Sequence, residues 1–499
     1  MTDILCTRNR YIIPFLFWPM EGMDYESLIG RITDTGAWRI WNMYAEGVEQ
    51  DLYDIILDCF VMDERKNNIG CALAWCGARE DQRDILALNY TRFDRDFIVR
   101  ITQMGMYLFR SGVGFIWYEA GLPADATSAE LTLFQNEFKE LAYERFVSLK
   151  NRSGRYTFEL ARDAAQGVLM GDWLDRKLAK LPFTYSFFAK RKNPLAPQRQ
   201  IPDKALLFVY AVFDRADREK LMDDIYHLTN GYNERYQKKA EFSSEPMELF
   251  RYAYCYVTMG GCGYYVVPGE ENRNFYLRTL KKKIMLDHFT LYILALYQSY
   301  TLLKFTGQIQ SVLSAESAWY LENSEESVGI LKQIATQINV FLVKSVYSSV
   351  SHISHQNDYY EYVIRKLKVR ENIDGLTIGL ESLQKLQEDR AKERIEAIEE
   401  RENQEREVSD DRLNIGLGLL SILALISAVA DGDSAAEVLV RWLKLPEYAK
   451  TALGMVFLAL IAVIAVVAVT SIWPSILRAG KKRREWKAAR KQERDDTWQ

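Results

Sequence analysis

Read as a helix, the late part of the chain places Asn414, Gly418, Ser421, Leu425 and Ala428 on one face, by steps of four and three. Asn414 and Ser421 are two of only three polar side chains between Leu413 and Ala430. In a side-by-side assembly, rings of these two residues would replace part of an ion's hydration shell, and Leu425 would form an apolar constriction that gates by dewetting. Asp410 and Asp411 precede this stretch, and Asp431 and Asp433 follow it. Acidic rings there would concentrate cations, an effect screened within about 10 Å at ordinary salt. The plainer alternatives are that small and polar residues pack helix against helix, and that acids cap helix ends.

A second set points to a phosphate-bearing ligand. Asp214 follows the strongly apolar ALLFVYAVF and opens the helical text RADREKLMDDIYHL, so a strand end and a helix start coincide there. Arg152, Arg155 and Arg215 carry forked guanidinium groups that suit phosphate oxygens, and Lys190–Lys192 with Arg199 form a basic loop. The alternative is an ordinary N-cap at Asp214 and solvated arginines. His352 and His355 stand three apart, but no Cys or carboxylate completes a ligand set, so no metal site is expected. There is no P-loop, dinucleotide fingerprint, Gly-x-Ser-x-Gly elbow or His-Glu-x-x-His, so no catalytic or cofactor-binding residue is assigned and the chain is not expected to be an enzyme.

What must position these residues is read from hydropathy and charge. The chain has 499 residues, 48% apolar and 26% charged, and its net charge of −4 argues against a stable nucleic-acid partner. Six scattered cysteines make no disulfide framework and suit a reducing compartment. No secretory signal is apparent at the N-terminus. The mean hydropathy of −0.21 hides two charge-free stretches, 413–430 and 451–473, which predict two transmembrane helices. Nine basic residues lie beyond the second stretch against three between the two, which places both termini in the cytoplasm of a multi-pass inner-membrane protein.

The expected fold is α+β. A cytosolic α/β domain over 1–268 is predicted to contain strands at 11–18, 70–75, 104–110, 114–118, 206–213, 252–259 and 263–267. The stretches 104–120 and 252–267 each read as a glycine-turned hairpin, a pattern that raises a distant internal duplication. No proline occurs between Pro268 and Pro446, which predicts a helical domain over 269–358 and a long stalk helix over 359–412. The apolar run at 286–305 is interrupted by Asp287, His288, Gln298 and Lys304, so it is expected as a buried helix of the soluble domain. Leu376, Leu380, Leu383, Leu386, Ile395 and Ile398 form a stalk seam that asks for a partner helix. An extracytoplasmic loop is expected at 431–450 and a basic cytosolic tail at 474–499.

A cytosolic α/β domain, a stalk running into a first span, a short outer loop, a second span and a basic tail together resemble the CorA family of divalent-cation transporters. The text INVFLVKSVYSSVSHISHQNDYYEYVIRKLKVRENIDGLTIGLESLQKL, at 338–386, is similar to the helical part that precedes the stalk in that family. The likeness covers roughly the last 220 residues. It implies a homopentamer in a lipid bilayer, first spans lining a pore, and Mg2+ or another divalent cation as cargo. The family's Gly-Met-Asn signature is absent: its position reads Ala428-Val429-Ala430-Asp431-Gly432-Asp433. The large N-terminal region makes the chain similar to the CorA-like membrane effectors found beside type III CRISPR systems, which implies a nucleotide second messenger made from S-adenosylmethionine and ATP. The expectation is therefore a ligand-gated cation channel. The rivals are a constitutive divalent-cation transporter and a membrane-tethered sensor or scaffold without a pore.

Overall fold

The computed structural model describes residues 4–41, 51–62, 68–76, 87–92, 95–122, 126–142, 145–150, 156–160, 168–194, 196–214, 218–232, 246–316, 325–443 and part of 451–470. The chain divides into two units, Met1–Glu381 and Ser382–Gln499.

The first unit begins with β1 (Ile4–Pro19), α1 (Tyr25–Asp34), β2 (Trp38–Ile40), α2 (Asp54–Leu57), β3 (Gly70–Trp75), β4 (Ala87–Arg92), β5 (Arg95–Phe109), β6 (Val113–Ala120) and α3 (Ser128–Lys139). It continues through β7 (Arg145–Lys150), β8 (Tyr156–Leu160), β9 (Val168–Leu169), α4 (Met170–Leu178), β10 (Phe183–Phe187), β11 (Lys190–Asn193) and β12 (Ala196–Pro202). Then come β13 (Leu206–Phe213), α5 (Arg218–Asn230), β14 (Met247–Phe250), β15 (Ala253–Thr258) and β16 (Gly261–Val266). All the strands but β11 and β12, which pair with each other, join one 14-stranded sheet among the described residues. The sheet is mixed: β13 runs parallel to β16 and β4 parallel to β8, while the other pairs are antiparallel. The expected α+β class holds.

The middle of β1 is buried on both faces, which is why its text is nearly continuous in apolar residues. Tyr11, Ile13, Phe15 and Phe17 point to one side, where they join α1, α3, α4 and α5 in a core; Tyr11 stacks on Tyr118 at 4.9 Å. Arg10 and Ile12 point to the other side. Pro14 lies where β1 changes neighbour: β13 pairs with residues 4–12 and β10 with 15–19. Its carbonyl accepts from the Phe188 amide at 3.4 Å.

Both expected hairpins form, β5–β6 and β15–β16. The first turns through Gly112, whose φ of 80° suits a residue without Cβ. Their settings differ, because β6 meets β1 antiparallel whereas β16 meets β13 parallel, so the two are not equivalent halves. The expected strands 70–75 and 206–213 coincide with β3 and β13.

After β16 the chain is helical through two π-turns, at Phe275–Leu280 and Ile284–His288, that flank α6 (Lys281–Lys283). It goes on as α7 (Phe289–Glu316), α8 (Glu325–Ser345), α9 (Ser354–Lys366) and α10 (Val369–Trp442). The buried helix expected at 286–305 is met by α7 and the turn before it. Phe289 stacks edge-on to Trp117 and Phe208 at 5.4 and 5.1 Å, and Tyr297 lies flat on Phe109 at 3.9 Å. The sheet is thus covered on its second face too.

The two expected transmembrane helices are not found: among the described residues no helix is long and apolar enough to cross a membrane. The first stretch, 413–430, is not a separate element but the interior of α10, which continues through Asp431, Gly432 and Asp433 to Trp442. At about 1.5 Å per residue the 74 residues of α10 extend for roughly 110 Å. One glycine in a helix costs only about 1 kcal/mol, so Gly432 does not end α10. The start of the expected loop at 431–450 is therefore helical. Of the second stretch, the described positions between 451 and 470 are helical.

Candidate functional site

A group of buried polar side chains converges where α9 meets β15 and the π-turn Ile284–His288. Asp51, just before α2, is ion-paired with Lys283 at 2.7 Å. The Gln356 amide on α9 reaches Asp51 Oδ2 at 3.4 Å and Asp287 Oδ2 at 3.5 Å with the same Nε2. The segment carrying Asp51 is stitched to the loop before α9. Ser351 Oγ donates to the Asp51 carbonyl, and the Tyr53 amide donates to Val350 O at 3.0 Å. Asn357 holds that loop, accepting from the Val350 amide at 2.8 Å and donating to Ser351 O at 2.7 Å.

Beside the carboxylates, the Tyr264 hydroxyl and His288 Nδ1 are 2.6 Å apart. The Tyr359 hydroxyl donates to the His288 carbonyl at 3.2 Å, and its ring stacks on the imidazole at 4.5 Å. On α7, Gln298 donates to the Tyr360 hydroxyl of α9 at 2.7 Å. These contacts explain the polar residues that interrupt the apolar run: each one fastens the helical layer to α9 or to the sheet. Lys304 likewise donates to Ser111 O in the turn after β5.

Burial sets the charge states. It pushes the Asp287 carboxyl up to about 7, and repulsion from Asp51 adds to that. It pushes His288 down to about 3, with His355 nearby adding to the effect, and it lowers His355 as well. Asp287 Oδ1 and Gln356 Oε1 are buried without a hydrogen-bond partner. No group of three His, Cys, Asp or Glu able to hold a metal exists among the described residues. What the cluster can do is hold or release a proton and clamp α9.

A second buried pair ties the same π-turn to the sheet. The Arg10 guanidinium is sandwiched between Trp117 and Phe289, 4.5 and 4.3 Å from their centroids. Its Nε donates to Glu119 Oε2 at 3.0 Å and its Nη1 to the Met285 carbonyl at 2.5 Å. Glu119 also accepts from Arg8 at 2.9 Å and Thr102 at 3.0 Å.

The residues expected from sequence lie elsewhere. Asp214 follows β13 and is ion-paired with Arg273 at 2.5 Å; Arg152, Arg155 and Arg215 lie outside the described residues. Arg199 is engaged by Asp172 and Asp175 of α4 rather than presented to a ligand. Of the intended ion path, Asp410 is exposed on α10 and Gly418 is buried. Asn414, Asp411, Ser421, Leu425, Ala428, Asp431 and Asp433 are helical, but their side chains lie outside the described residues. In the stalk seam, Leu376 and Leu380 are half-buried, while Ile395 and Ile398 are exposed. His355 belongs to α9 and packs on Phe250 at 4.9 Å, whereas His352 precedes the helix and lies against Tyr53 at 6.4 Å.

None of the protein-family models, curated proteins or solved structures compared with this chain matches it significantly.

Proposed function

We propose that this chain is a self-associating, ligand-responsive membrane protein that controls the passage of cations, with the unit Met1–Glu381 as sensor and α9 as the coupling element. The observation that carries this reading is the attachment of α9. It is fastened to the sheet domain through Gln356, Tyr359 and Tyr360, and only Leu367 and Lys368 separate it from α10. A ligand that shifts the sheet or the π-turn has a direct route to the start of a 74-residue helix. The exposed apolar side chains Ile395, Ile398, Leu413 and Leu420 on α10 support burial against other copies.

A pentameric assembly, an inner-membrane location with cytoplasmic termini and a divalent cargo such as Mg2+ belong to this proposal. So does a nucleotide messenger as the ligand. The proposal assigns no spanning helix to 413–430 or 451–473 and concerns control rather than the construction of the passage.

The test uses the full chain in liposomes loaded with a Mg2+-sensitive dye, with and without a nucleotide formed from S-adenosylmethionine and ATP. Flux that appears only with the nucleotide is the expected result. Flux in plain buffer would favour a constitutive transporter. Nucleotide binding without flux would favour a tethered sensor, and the absence of both would overturn the proposal.

A further inference from the structure

We propose that Asp287 carries a proton while α9 is docked, and that its release loosens α9 from the sheet domain, so that the base of α10 responds to pH. This deepens the sensor reading and rests on it only in taking α9 as the coupling element.

The geometry asks for a proton on Asp287. One amide nitrogen, Gln356 Nε2, lies within 3.5 Å of an oxygen of each carboxylate. Asp287 is 1% exposed and Asp51 9%, so water screens the two carboxylates from each other only weakly. Lys283 supplies one positive charge and places it on Asp51. With both acids ionised, the cluster would bury a net negative charge and leave Asp287 Oδ1 and Gln356 Oε1 as two acceptors with nothing to accept. A proton on Asp287 removes the excess charge and supplies a donor.

The other titratable groups around the cluster do not replace that proton. From the π-turn, His288 is held neutral by burial beneath Tyr264 and Tyr359. From β16, burial keeps Tyr264 protonated, and Cys262 contacts the Tyr359 hydroxyl at 3.5 Å. From α9, His355 is shifted towards its neutral form by burial, although Asp51 and Asp358 pull it the other way. Once the proton leaves, the two carboxylates repel across Gln356, and the strain is relieved by letting water reach the α9 interface.

The test is amide hydrogen exchange of 354–366 in the full chain, expressed as protection factors, between about pH 5.5 and 8.5. The expected wild-type result is a drop of about tenfold or more across the range, since one pKa unit corresponds to a tenfold change in protonation. Asp287→Asn, which is permanently neutral, is expected to keep full protection at the alkaline end. A wild-type profile flat within about twofold, or the same drop in Asp287→Asn, would overturn the proposal. If that variant does not fold, Asp51→Asn serves instead. Removing the repelling charge is expected to move the midpoint down by about one pH unit, and an unmoved midpoint would overturn the proposal. A pH-dependent α9 whose state leaves the nucleotide response unchanged would count against the coupling reading while leaving the Asp287 proton intact.

Discussion

Arg10 and Glu119 form an ion pair, Nε to Oε2 at 3.0 Å, with both side chains only 5% exposed. A charge pair withdrawn from water contributes little net stability by itself, but removing one partner leaves the other buried and uncompensated. Glu119→Leu, which takes the carboxylate from Arg10, is therefore expected to cost about 3 kcal/mol or more in urea unfolding, whereas Arg10→Met leaves Glu119 its pair with Arg8 and costs less. The double variant Arg10→Met with Glu119→Leu should recover at least half of that. A double variant as unstable as the sum of the singles would show that the pair is not the unit.

The pH dependence of stability separates Asp287 from His288. Asp287 rises in the fold to about 7 from 3.8, so its contribution is complete below pH 3.8 and is lost as pH climbs towards 7. His288 falls to about 3 from 6.5, so its contribution is complete above pH 6.5 and is lost as pH falls towards 3. Between about pH 4 and 6.5 the two slopes oppose each other, each at up to ~1.4 kcal/mol per pH unit. Asp287→Asn should leave a stability that falls with acid, and His288→Gln one that falls with alkali. Denaturant midpoints read across that window decide it.

Lys368, between α9 and α10, has a φ of 53°, a left-handed conformation that costs an ordinary residue about 1–2 kcal/mol. Lys368→Gly should stabilise the chain by a fraction of that, because the relief of strain is partly offset by added freedom in the unfolded chain. Lys368→Val should destabilise it, since a branched side chain suits the position least. Thermal melts of the two variants should move in opposite directions.

Gly105 faces Trp117 across the β5–β6 pair, and a Cβ added there would lie 2.6 Å from the indole ring. Gly105→Ala is expected to cost about 1–3 kcal/mol by overpacking and to change tryptophan fluorescence. A neutral substitution would show that the ring has room to retreat.

Much of the architecture was legible because it is local. The apolar runs at 70–75 and 206–213, the two glycine-turned hairpins and the proline-free helical stretch all carry their signal within a short window. The first part of β1 was missed because TRNR looks like a loop, although Thr7, Asn9 and Arg10 are buried polar residues with partners far along the chain. The site was only half legible. Asp287 and His288 stood out as interruptions in an apolar run, but nothing in spacing could reveal that Asp51, 232 residues away from Lys283, would meet it. The two spans were inferred from composition over windows of about twenty residues, and composition cannot tell a bounded helix from the middle of a longer one.

Pro14 has a consequence for how the sheet assembles. An ordinary strand can slide by two residues and keep the same side chains on each face, so its alignment rests on weak preferences. Here β1 exchanges β13 for β10 beside residue 14, so a slide would carry a residue without a donor into the middle of one ladder or the other. The ring thus favours the alignment in which both neighbours end next to it.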